Sequence, residues 1–368
     1  MAMRLDPTLH RKIGRFGGVN VDACYNCGNC TATCALSDEE HSFPRRMMHY
    51  LQIGNREKLL GSADPWLCHN CGDCTVQCPR DARPSDVVGA VRAAAVEEFA
   101  FPSFMGRAVA SPRWLPALFL FPLALFVAFA LALRGTAPPT PAPEFANLFP
   151  ELPLEAFMFA LSALVIVSFV VSVGRFVKAV KGSSGGGSVL RGLVPAVKEI
   201  VAHSRFTKCE AERGRTWGHL LTFAGFLTLF VISSVEGIGT WLHVVTLPLP
   251  FWDGHRVFAS LLKLAANAGG VVILVGLALL LADRYRDPAK RANSTYFDWL
   301  LPWLLVSIVV TGFASQGLRL VAVPALMFGV YFVHLTLIFM LLAYMPFSKF
   351  AHVIYRTVAM SVAQQAKR

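Results

Sequence analysis

From Trp114 onward the chain is dominated by apolar stretches, whereas residues 1–105 are polar and contain closely spaced cysteines. A helix needs about 20 apolar residues to cross roughly 30 Å of hydrocarbon. Six stretches are long enough, at about 114–133, 154–173, 217–236, 257–282, 299–318 and 324–345. The pattern therefore predicts a head over 1–105 and a membrane domain over 106–356 with six transmembrane helices.

The distribution of basic residues predicts how these helices are oriented. Lys and Arg gather in the connections after the second and fourth spans and in the tail 357–368, whereas the connection 136–153 contains none. Loops rich in Lys and Arg stay on the cytoplasmic side. No cleavable secretory signal is visible in the first ~20 residues. We therefore expect a multi-pass protein of the cytoplasmic (inner) membrane, with the head and both termini in the cytoplasm.

Shorter-range patterns predict helices outside the spans as well. Residues 189–206 carry apolar positions at helical spacing among charges, which is typical of an amphipathic helix at the cytoplasmic membrane surface. Residues 42–61, between the cysteine runs, show no strand-like alternation and are rich in helix formers. The expected fold class is all-α: a helical head followed by a six-span bundle.

Composition supports the membrane assignment and excludes one alternative. Of the 368 residues, 55% are hydrophobic, and the mean hydropathy is +0.51. The net charge of +11 is compatible with nucleic-acid binding, but the basic residues flank apolar runs, as loops beside an anionic membrane do. We therefore expect no nucleic-acid partner.

Eight of the nine cysteines lie in two runs, each with the spacing CxxCxxCxxxC. This is the spacing of two-cluster ferredoxins, in which the fourth cysteine of each run binds the other cluster. The expected ligands of one [4Fe–4S] cluster are Cys24, Cys27, Cys30 and Cys78. Those of the other are Cys68, Cys71, Cys74 and Cys34. Two all-cysteine zinc sites are the alternative, but they give no reason for the repeated three-plus-one pattern.

Histidines in the membrane half suggest haem b. His219 and His352 both lie near the cytoplasmic boundary, where they can ligate one haem iron. His334 precedes His352 by 18 residues, five turns of a continuous helix, which would put both imidazoles on one face. A second haem at His334 would need a partner, and only His243 or His255, in the outer connection, are available.

Polar residues at the outer ends of the spans are candidates for binding a quinone or a haem propionate. They are Lys263, Asn267, Gln316 and Arg319. Charge inside a membrane is costly, so it is usually functional unless the side chain reaches the interface. His203, beside Cys209 on the cytoplasmic side, is a further candidate for an inner quinone entrance.

With these motifs, the chain resembles the C subunits of quinone-interacting membrane-bound oxidoreductases. Each of those subunits is a fusion of heterodisulfide-reductase C- and E-type subunits. The resemblance is carried by FPRRMM and PWLCHNCGDC in the head, and by AHSRFTKC, HLLTFAGFLTLF and YFVHL in the membrane half. The segment PFSKFAHVIYR is also similar to the haem-binding end of nitrate reductase gamma subunits. By that comparison His219 matches the first ligand on the earlier helix, and the second has no counterpart.

The resemblance implies an oxidoreductase subunit that is not active alone. It implies two soluble flavin and iron–sulfur partner subunits, exchange with membrane quinone, and a link to adenylylsulfate reductase in dissimilatory sulfur metabolism. Two alternatives remain. One is the membrane subunit of another heterodisulfide-reductase-like complex, and the other is a haem-free anchor with a ferredoxin head.

Overall fold

The computed structural model describes residues 5–17, 20–39, 41–135, 142–184, 188–202, 213–245 and 256–366. Within these ranges the chain forms helices and turns and contains no strand. Six of the helices are long and apolar enough to cross a membrane. The predicted all-α fold with six spans is confirmed.

The helices of the head are short and those of the membrane half are long. In chain order they are α1 (Leu9–Gly14), α2 (Asn29–Thr33), α3 (Arg45–Gln52), α4 (Arg56–Leu60), α5 (Asp64–Leu67), α6 (Asp73–Val76), α7 (Pro84–Phe99), α8 (Ser103–Val109), α9 (Leu115–Arg134), α10 (Glu151–Ser184), α11 (Val189–Ala202), α12 (Arg213–Val245), α13 (Arg256–Arg286), α14 (Pro288–Asn293), α15 (Tyr296–Leu320), α16 (Pro324–Tyr344) and α17 (His352–Ala366). The spans are α9, α10, α12, α13, α15 and α16. Their ends match the predicted ones closely, except that α10 and α12 run further at their C-terminal ends.

Helices α12 and α13 pack very closely against each other, and glycines at their contact make this possible. A Cβ added at Gly276 would lie 2.4 Å from the main-chain nitrogen of Thr222, and one at Gly225 would lie 2.7 Å from the carbonyl oxygen of Gly269. Small residues at such contacts let two membrane helices pack backbone to backbone. The pair α12 and α13 is thereby held at a fixed depth relative to each other.

The other spans pack around α16. It is antiparallel to α15 and also contacts α9 and α10, while α13 contacts α15. A cluster of phenylalanines, centred on the fully buried Phe126 of α9, fills the space between α9, α10 and α16. The bundle therefore has one half built on α16 and a second half built on the α12–α13 pair.

The head is joined to the membrane half through a shared core. Trp66 of α5 stacks on Tyr355 of α17 with ring centroids 5.1 Å apart, and Phe176 of α10 contacts both rings. All three side chains are almost completely buried. Burial of large aromatic rings is a major stabilising contribution in any core. The C-terminal end of α10 and the last helix are thus structural parts of the head.

The segment expected to be a cytoplasmic tail over 357–368 is instead helical as far as Ala366. Val358, Ala359 and Val362 are buried in the head's core, so the last helix is not a solvated extension. The expected division at residues 105 and 356 therefore does not separate independently packed units.

Helix α11 lies within the predicted amphipathic segment 189–206, of which residues 203–206 lie outside the described ranges. One face packs on α17, where a Cβ at Gly192 would lie 2.0 Å from the carbonyl oxygen of Ser361. The opposite face exposes a stripe formed by Leu190, Val194, Val197 and Val201. The helix is amphipathic as expected, and its placement at the membrane surface stays a prediction.

The last span and α17 do not form one continuous helix. After α16, two 3₁₀ turns at Met345–Phe347 and Lys349–Ala351 flank Ser348, whose backbone is extended. Pro346 has no N–H to continue the α-helical pattern, and the chain turns here. The expectation that His334 and His352 project from one face of a single helix is therefore wrong.

Candidate redox centres

The two cysteine runs adopt the same local conformation, 44 residues apart. In the first, the main-chain N–H of Asn26 donates to Sγ of Cys24 over 3.4 Å; in the second, the N–H of Asn70 donates to Sγ of Cys68 over 3.3 Å. Both asparagines have positive φ angles, near +55°. Hydrogen bonds from the main chain to cluster sulfurs tune the potential of iron–sulfur sites. The sulfur of the first cysteine in each run already accepts such a hydrogen bond.

A glycine with positive φ follows the second cysteine in each run. Gly28 has φ +91° and begins α2, and Gly72 has φ +88° and begins α6. A Cβ at Gly28 would find only Arg45 Nη1 within 4 Å, at 3.8 Å, so crowding does not require glycine there. The left-handed backbone does, because other residues rarely adopt it. This turn carries the third cysteine of each run into the first turn of a helix.

The thiols of the first run form a group with the last cysteine of the second run. Burial, together with the neighbouring charges of Cys24, Cys27 and Cys78, raises the pKa of the Cys30 thiol. Coulombic interactions between thiolates weaken with distance, so these thiols lie near one another. The structure thus brings Cys78 to the first run.

The second group is arranged in the same way. Burial raises the pKa of the Cys74 thiol most, followed by the charges of Cys68, Cys71 and Cys34 and then of Cys30 in the other group. Cys34, from the first run, is thus beside the second. Helix α2 packs against α6, so the two cysteine runs lie side by side, and the 3 + 1 crossing of ligands stays a prediction.

A cluster and a single zinc ion require different spacings of the four thiolates. Four thiolates around one zinc lie about 3.8 Å apart, as a tetrahedron with Zn–S bonds near 2.3 Å requires. Among the described residues, no three His, Cys, Asp or Glu side chains are grouped closely enough to hold one metal ion. Each thiolate of a [4Fe–4S] cluster binds a different iron atom, so these ligands are spread more widely.

The two groups differ in exposure. Cys27 of the first group is exposed, whereas Cys68 and Cys74 of the second are buried. The second group also lies under α17, where Arg356 donates from Nη1 to the carbonyl oxygen of Cys68 over 3.1 Å. Arg92 of α7 donates to the same carbonyl oxygen. The first group is thus nearer to solvent and the second nearer to the membrane half.

The hydrogen bond and the protonation state of the His352 ring are those that a haem ligand needs. Its Nδ1 lies 2.6 Å from the carbonyl oxygen of Lys349, which can only accept, so Nδ1 carries the hydrogen and Nε2 is the atom left for a metal. Burial lowers the pKa of His352 to about 3, so the ring is neutral at physiological pH, as a ligand must be. His219 of α12 is close enough to act electrostatically on His352. The structure therefore places these two candidate ligands near each other.

His334 occupies a different environment. Its Nδ1 is 3.0 Å from Oγ1 of Thr311 on α15, and a Cβ at Gly312 would lie 3.1 Å from Cε1 of the ring. The Thr311 hydroxyl donates within its own helix, to Ser307 or Ile308, so it accepts from the histidine. His334 therefore packs between two spans and hydrogen-bonds them together.

The structure does not describe the side chains of the expected partners of His334, His243 and His255. The glycine contacts between α12 and α13 place Gly225 and Thr228 near the depth of His334, and neither is a haem ligand. Helix α12 continues to Val245, which carries His243 about 22 Å beyond Thr228. His255 lies outside the described residues, as do His203 and Cys209.

The four polar residues that are candidates for binding quinone or a haem propionate have different surroundings. Asn267 and Gln316 are at one depth, because each is one turn beyond the contact between Gly270 and Phe313. Lys263, which is exposed, interacts electrostatically with Glu236 of α12, a partner that sequence reasoning missed. Arg319 is exposed at the end of α15, with its guanidinium 5.4 Å from the centroid of the Phe145 ring.

The head matches the 4Fe–4S dicluster domain family over residues 20–82, a range that includes all eight clustered cysteines. The E subunit of dihydromethanophenazine:CoB–CoM heterodisulfide reductase from Methanosarcina thermophila is 27% identical over 147 residues, which cover 37% of this chain and 53% of that protein. The corresponding E subunit from Methanosarcina barkeri is 28% identical over 147 residues, with coverages of 37% and 54%.

The iron–sulfur C subunit of CoB–CoM heterodisulfide reductase from Methanopyrus kandleri is 34% identical over 74 residues, which cover 20% of this chain and 38% of that protein. The expected resemblance to heterodisulfide reductase subunits is confirmed. One chain thus combines likeness to a C-type and to an E-type subunit. It spans about half the length of the E-type relatives that it matches. No solved structure matches the chain.

Proposed function

We propose that this chain is the membrane subunit of an electron-transfer complex, exchanging electrons between soluble flavin and iron–sulfur subunits and membrane quinone. When bound, two [4Fe–4S] clusters and one haem b would supply the one-electron carriers. The observation that carries the proposal is the position of α17: it presents His352 towards His219 and, one turn later, binds Cys68 through Arg356. One helix thereby connects both kinds of centre.

The exposure of the cysteines supports an assignment of one cluster to the side where partner subunits dock and of the other to the membrane side. We assign the group of Cys24, Cys27, Cys30 and Cys78 to the docking side, since Cys27 is exposed. The group of Cys68, Cys71, Cys74 and Cys34 belongs to the membrane side, since Arg356 connects it to α17. The basic connections between spans support a cytoplasmic head, where soluble partner subunits are available.

His219 and His352 are the proposed haem ligands, and His334 is a structural residue. This differs from the two-haem arrangement of nitrate reductase gamma subunits, because no ligand for a second iron accompanies His334 in the described structure. A test is the reduced-minus-oxidised spectrum and the haem content of the purified parent, of His219→Ala and of His352→Ala. Each substitution should abolish the b-type signal.

His334→Ala is the matched control, since it removes an intramembrane histidine of the same type, and the signal should remain. An absent b-type signal in the parent would favour the haem-free anchor. For the head, we expect iron and acid-labile sulfide of about eight each per chain, as two clusters require.

The soluble partners follow from the resemblance and from the names of the relatives. An oxidoreductase linked to adenylylsulfate reductase is the leading candidate, with two partner subunits that carry flavin and iron–sulfur centres. A second candidate is another complex of heterodisulfide reductase type, favoured by the names of the proteins that match. Purification of the tagged chain from its native host, with identification of the subunits that accompany it, distinguishes the two.

A further inference from the structure

Exposed apolar side chains of the head gather around the first cysteine group. Val76 is 73% exposed and Tyr25 is 69% exposed, more than any other large apolar side chain in the described part of residues 1–105. Tyr25 lies between Cys24 and Cys27, and Val76 comes two residues before Cys78. Neighbouring exposed apolar side chains are typical of interaction sites, whereas single scattered ones are ordinary. The group with the exposed Cys27 therefore also has an exposed apolar surface.

Two contacts join the first run to the second at this surface. The Arg80 guanidinium lies 4.4 Å from the centroid of the Tyr25 ring. The side-chain amide of Asn29 donates to the carbonyl oxygen of Gln77, the residue after Val76. A cation over its face helps to order the Tyr25 ring, and an ordered surface loses less conformational entropy when it binds. Tyr and Arg are also among the residue types that contribute most to binding at protein interfaces.

The same surface carries two positive charges without a carboxylate partner. Arg80 is exposed, and so is Arg45, whose Nη1 would lie 3.8 Å from a Cβ added at Gly28. Within the described part of the head no ion pair involves either of them, and Asp81, beside Arg80, pairs with Arg83 over 3.7 Å. Four other arginines of the head do have carboxylate partners: Arg15, Arg46, Arg56 and Arg83. Arg45 and Arg80 are therefore available to carboxylates of another molecule.

We propose that this surface, the docking face, binds a soluble redox subunit that presents an apolar patch rimmed by Asp and Glu side chains. The docking face consists of Tyr25, Cys27, Arg45, Val76 and Arg80. Charges of opposite sign steer two proteins together and fix their orientation, so that the exposed Cys27 faces the partner. A second copy of this chain would present the same arginines, and like charges repel. The inference rests on the proposed function and adds the contact surface and the chemistry of the partner.

The first test measures which side chains the soluble subunits cover. The purified complex, and the same complex after high salt has removed its soluble subunits, are oxidised with brief pulses of hydroxyl radicals, and the labelled residues are mapped by mass spectrometry. Oxidation of Tyr25 should rise several-fold when the soluble subunits leave. Tyr285, which is 48% exposed at the end of α13, is the control and should be oxidised equally in both samples. Equal oxidation of Tyr25 in both samples would overturn the inference.

The second test identifies what lies against the docking face. The photoreactive residue p-benzoylphenylalanine replaces Val76, and the complex is irradiated before it is solubilised from the membrane. The crosslinked peptide should belong to a soluble subunit that binds flavin or iron–sulfur clusters, and it should contain Asp or Glu next to apolar residues. A crosslink to a second copy of this chain, or to a phospholipid, would overturn the inference.

The third test reverses charges on the docking face. Arg45→Glu and Arg80→Glu should each weaken rebinding of the removed soluble subunits to the tagged chain about tenfold, because like charges then face each other. Rebinding to the parent should weaken with added salt, and rebinding to the variants should depend on salt less. Arg11→Glu, which reverses an exposed charge on α1, is the matched control and should bind as the parent does. Unchanged affinity in both docking-face variants would contradict the inference.

Folding and function are controlled separately. The iron content of Arg45→Glu and Arg80→Glu should equal that of the parent, so that weaker binding reports the docking face and not the fold. If soluble redox subunits rebind to the parent and to both variants equally well, the docking inference fails and the proposed function stands. If no soluble redox subunit accompanies the parent or rebinds to it, the proposed function itself fails.

Discussion

The guanidinium of Arg356 binds the carbonyl oxygen of Cys68 over 3.1 Å, although 288 positions separate the two residues in the chain. The same guanidinium reaches Nδ1 of His69 at 3.3 Å, and Arg92 adds a second cation at the same carbonyl. Two positive charges are therefore held beside the second cysteine group. A cation near a cluster favours its reduced, more negative form.

Arg356→Gln should lower the reduction potential of the cluster bound by Cys68. Loss of an interaction of about 1 kcal/mol corresponds to a shift of roughly 30 to 60 mV for a one-electron couple. Redox titration followed by electron paramagnetic resonance measures it. Arg11→Gln, at an exposed position of α1, is the control and should leave both potentials unchanged. Equal potentials in the parent and Arg356→Gln would exclude this role.

The crossing of the two cysteine groups predicts which cluster each substitution removes. Cys78→Ala should lose the cluster of the first run, and Cys34→Ala should lose that of the second, because the fourth ligand comes from the other run. Each variant should keep about four iron atoms per chain. Iron analysis and the remaining paramagnetic signal identify the surviving cluster, and a Cys78→Ala protein that loses the second-run signal would contradict the crossing.

Gly276→Ala should separate α12 from α13. The added Cβ would lie 2.4 Å from the main-chain nitrogen of Thr222, and a backbone atom cannot rotate away. Overpacking of this kind costs about 1 to 3 kcal/mol. Because the contact lies one turn from His219, we also expect reduced haem content. Gly174→Ala, where no atom lies within 4 Å of the added Cβ, is the matched control in α10 and should be stable.

Thr311→Val tests the structural role assigned to His334. It removes the hydrogen bond that links α15 to α16, which in membranes is worth about 0.6 kcal/mol on average. Thermal unfolding in detergent should shift down slightly while the haem spectrum stays that of the parent. Ser162→Ala, whose hydroxyl bonds only within its own helix, is the control. A changed haem spectrum in Thr311→Val would argue that His334 is a ligand.

Tyr355→Ala should weaken the attachment of the head. The ring stacks between Trp66 and Phe176 and is fully buried, so its removal should cost about 3 to 5 kcal/mol. We expect an early unfolding transition that releases iron before the membrane half unfolds. Tyr355→Phe keeps the ring and is the control. Coincident loss of iron and haem in Tyr355→Ala would show that the two halves unfold together.

Patterns that recur along the chain were enough to predict most of the fold. Six apolar stretches fixed the spans, since length and hydropathy decide insertion without reference to neighbours. The repeated spacing from Cys24 to Cys78 predicted a two-cluster head, and the match to the 4Fe–4S dicluster domain family over residues 20–82 agrees with it. His219 and His352 were paired from depth alone, and the structure brings them close together.

Features that depend on tertiary contact were not predicted. The break before His352 needs Pro346 and an extended Ser348, and a helical pattern on both sides concealed it. The interaction of Glu236 with Lys263 and the hydrogen bond of Arg356 to Cys68 join distant parts of the chain, so no local pattern predicted them.

The position of the last helix constrains how the protein is made. The head is synthesised first, yet Tyr355, Val358, Ala359 and Val362 complete its core. A ribosome must therefore translate all six spans, and the membrane must receive them, before the core of the head is complete and Arg356 can bind Cys68. Cluster assembly on this chain is expected to follow membrane insertion, so the assembly machinery would meet a substrate that is already anchored to the bilayer.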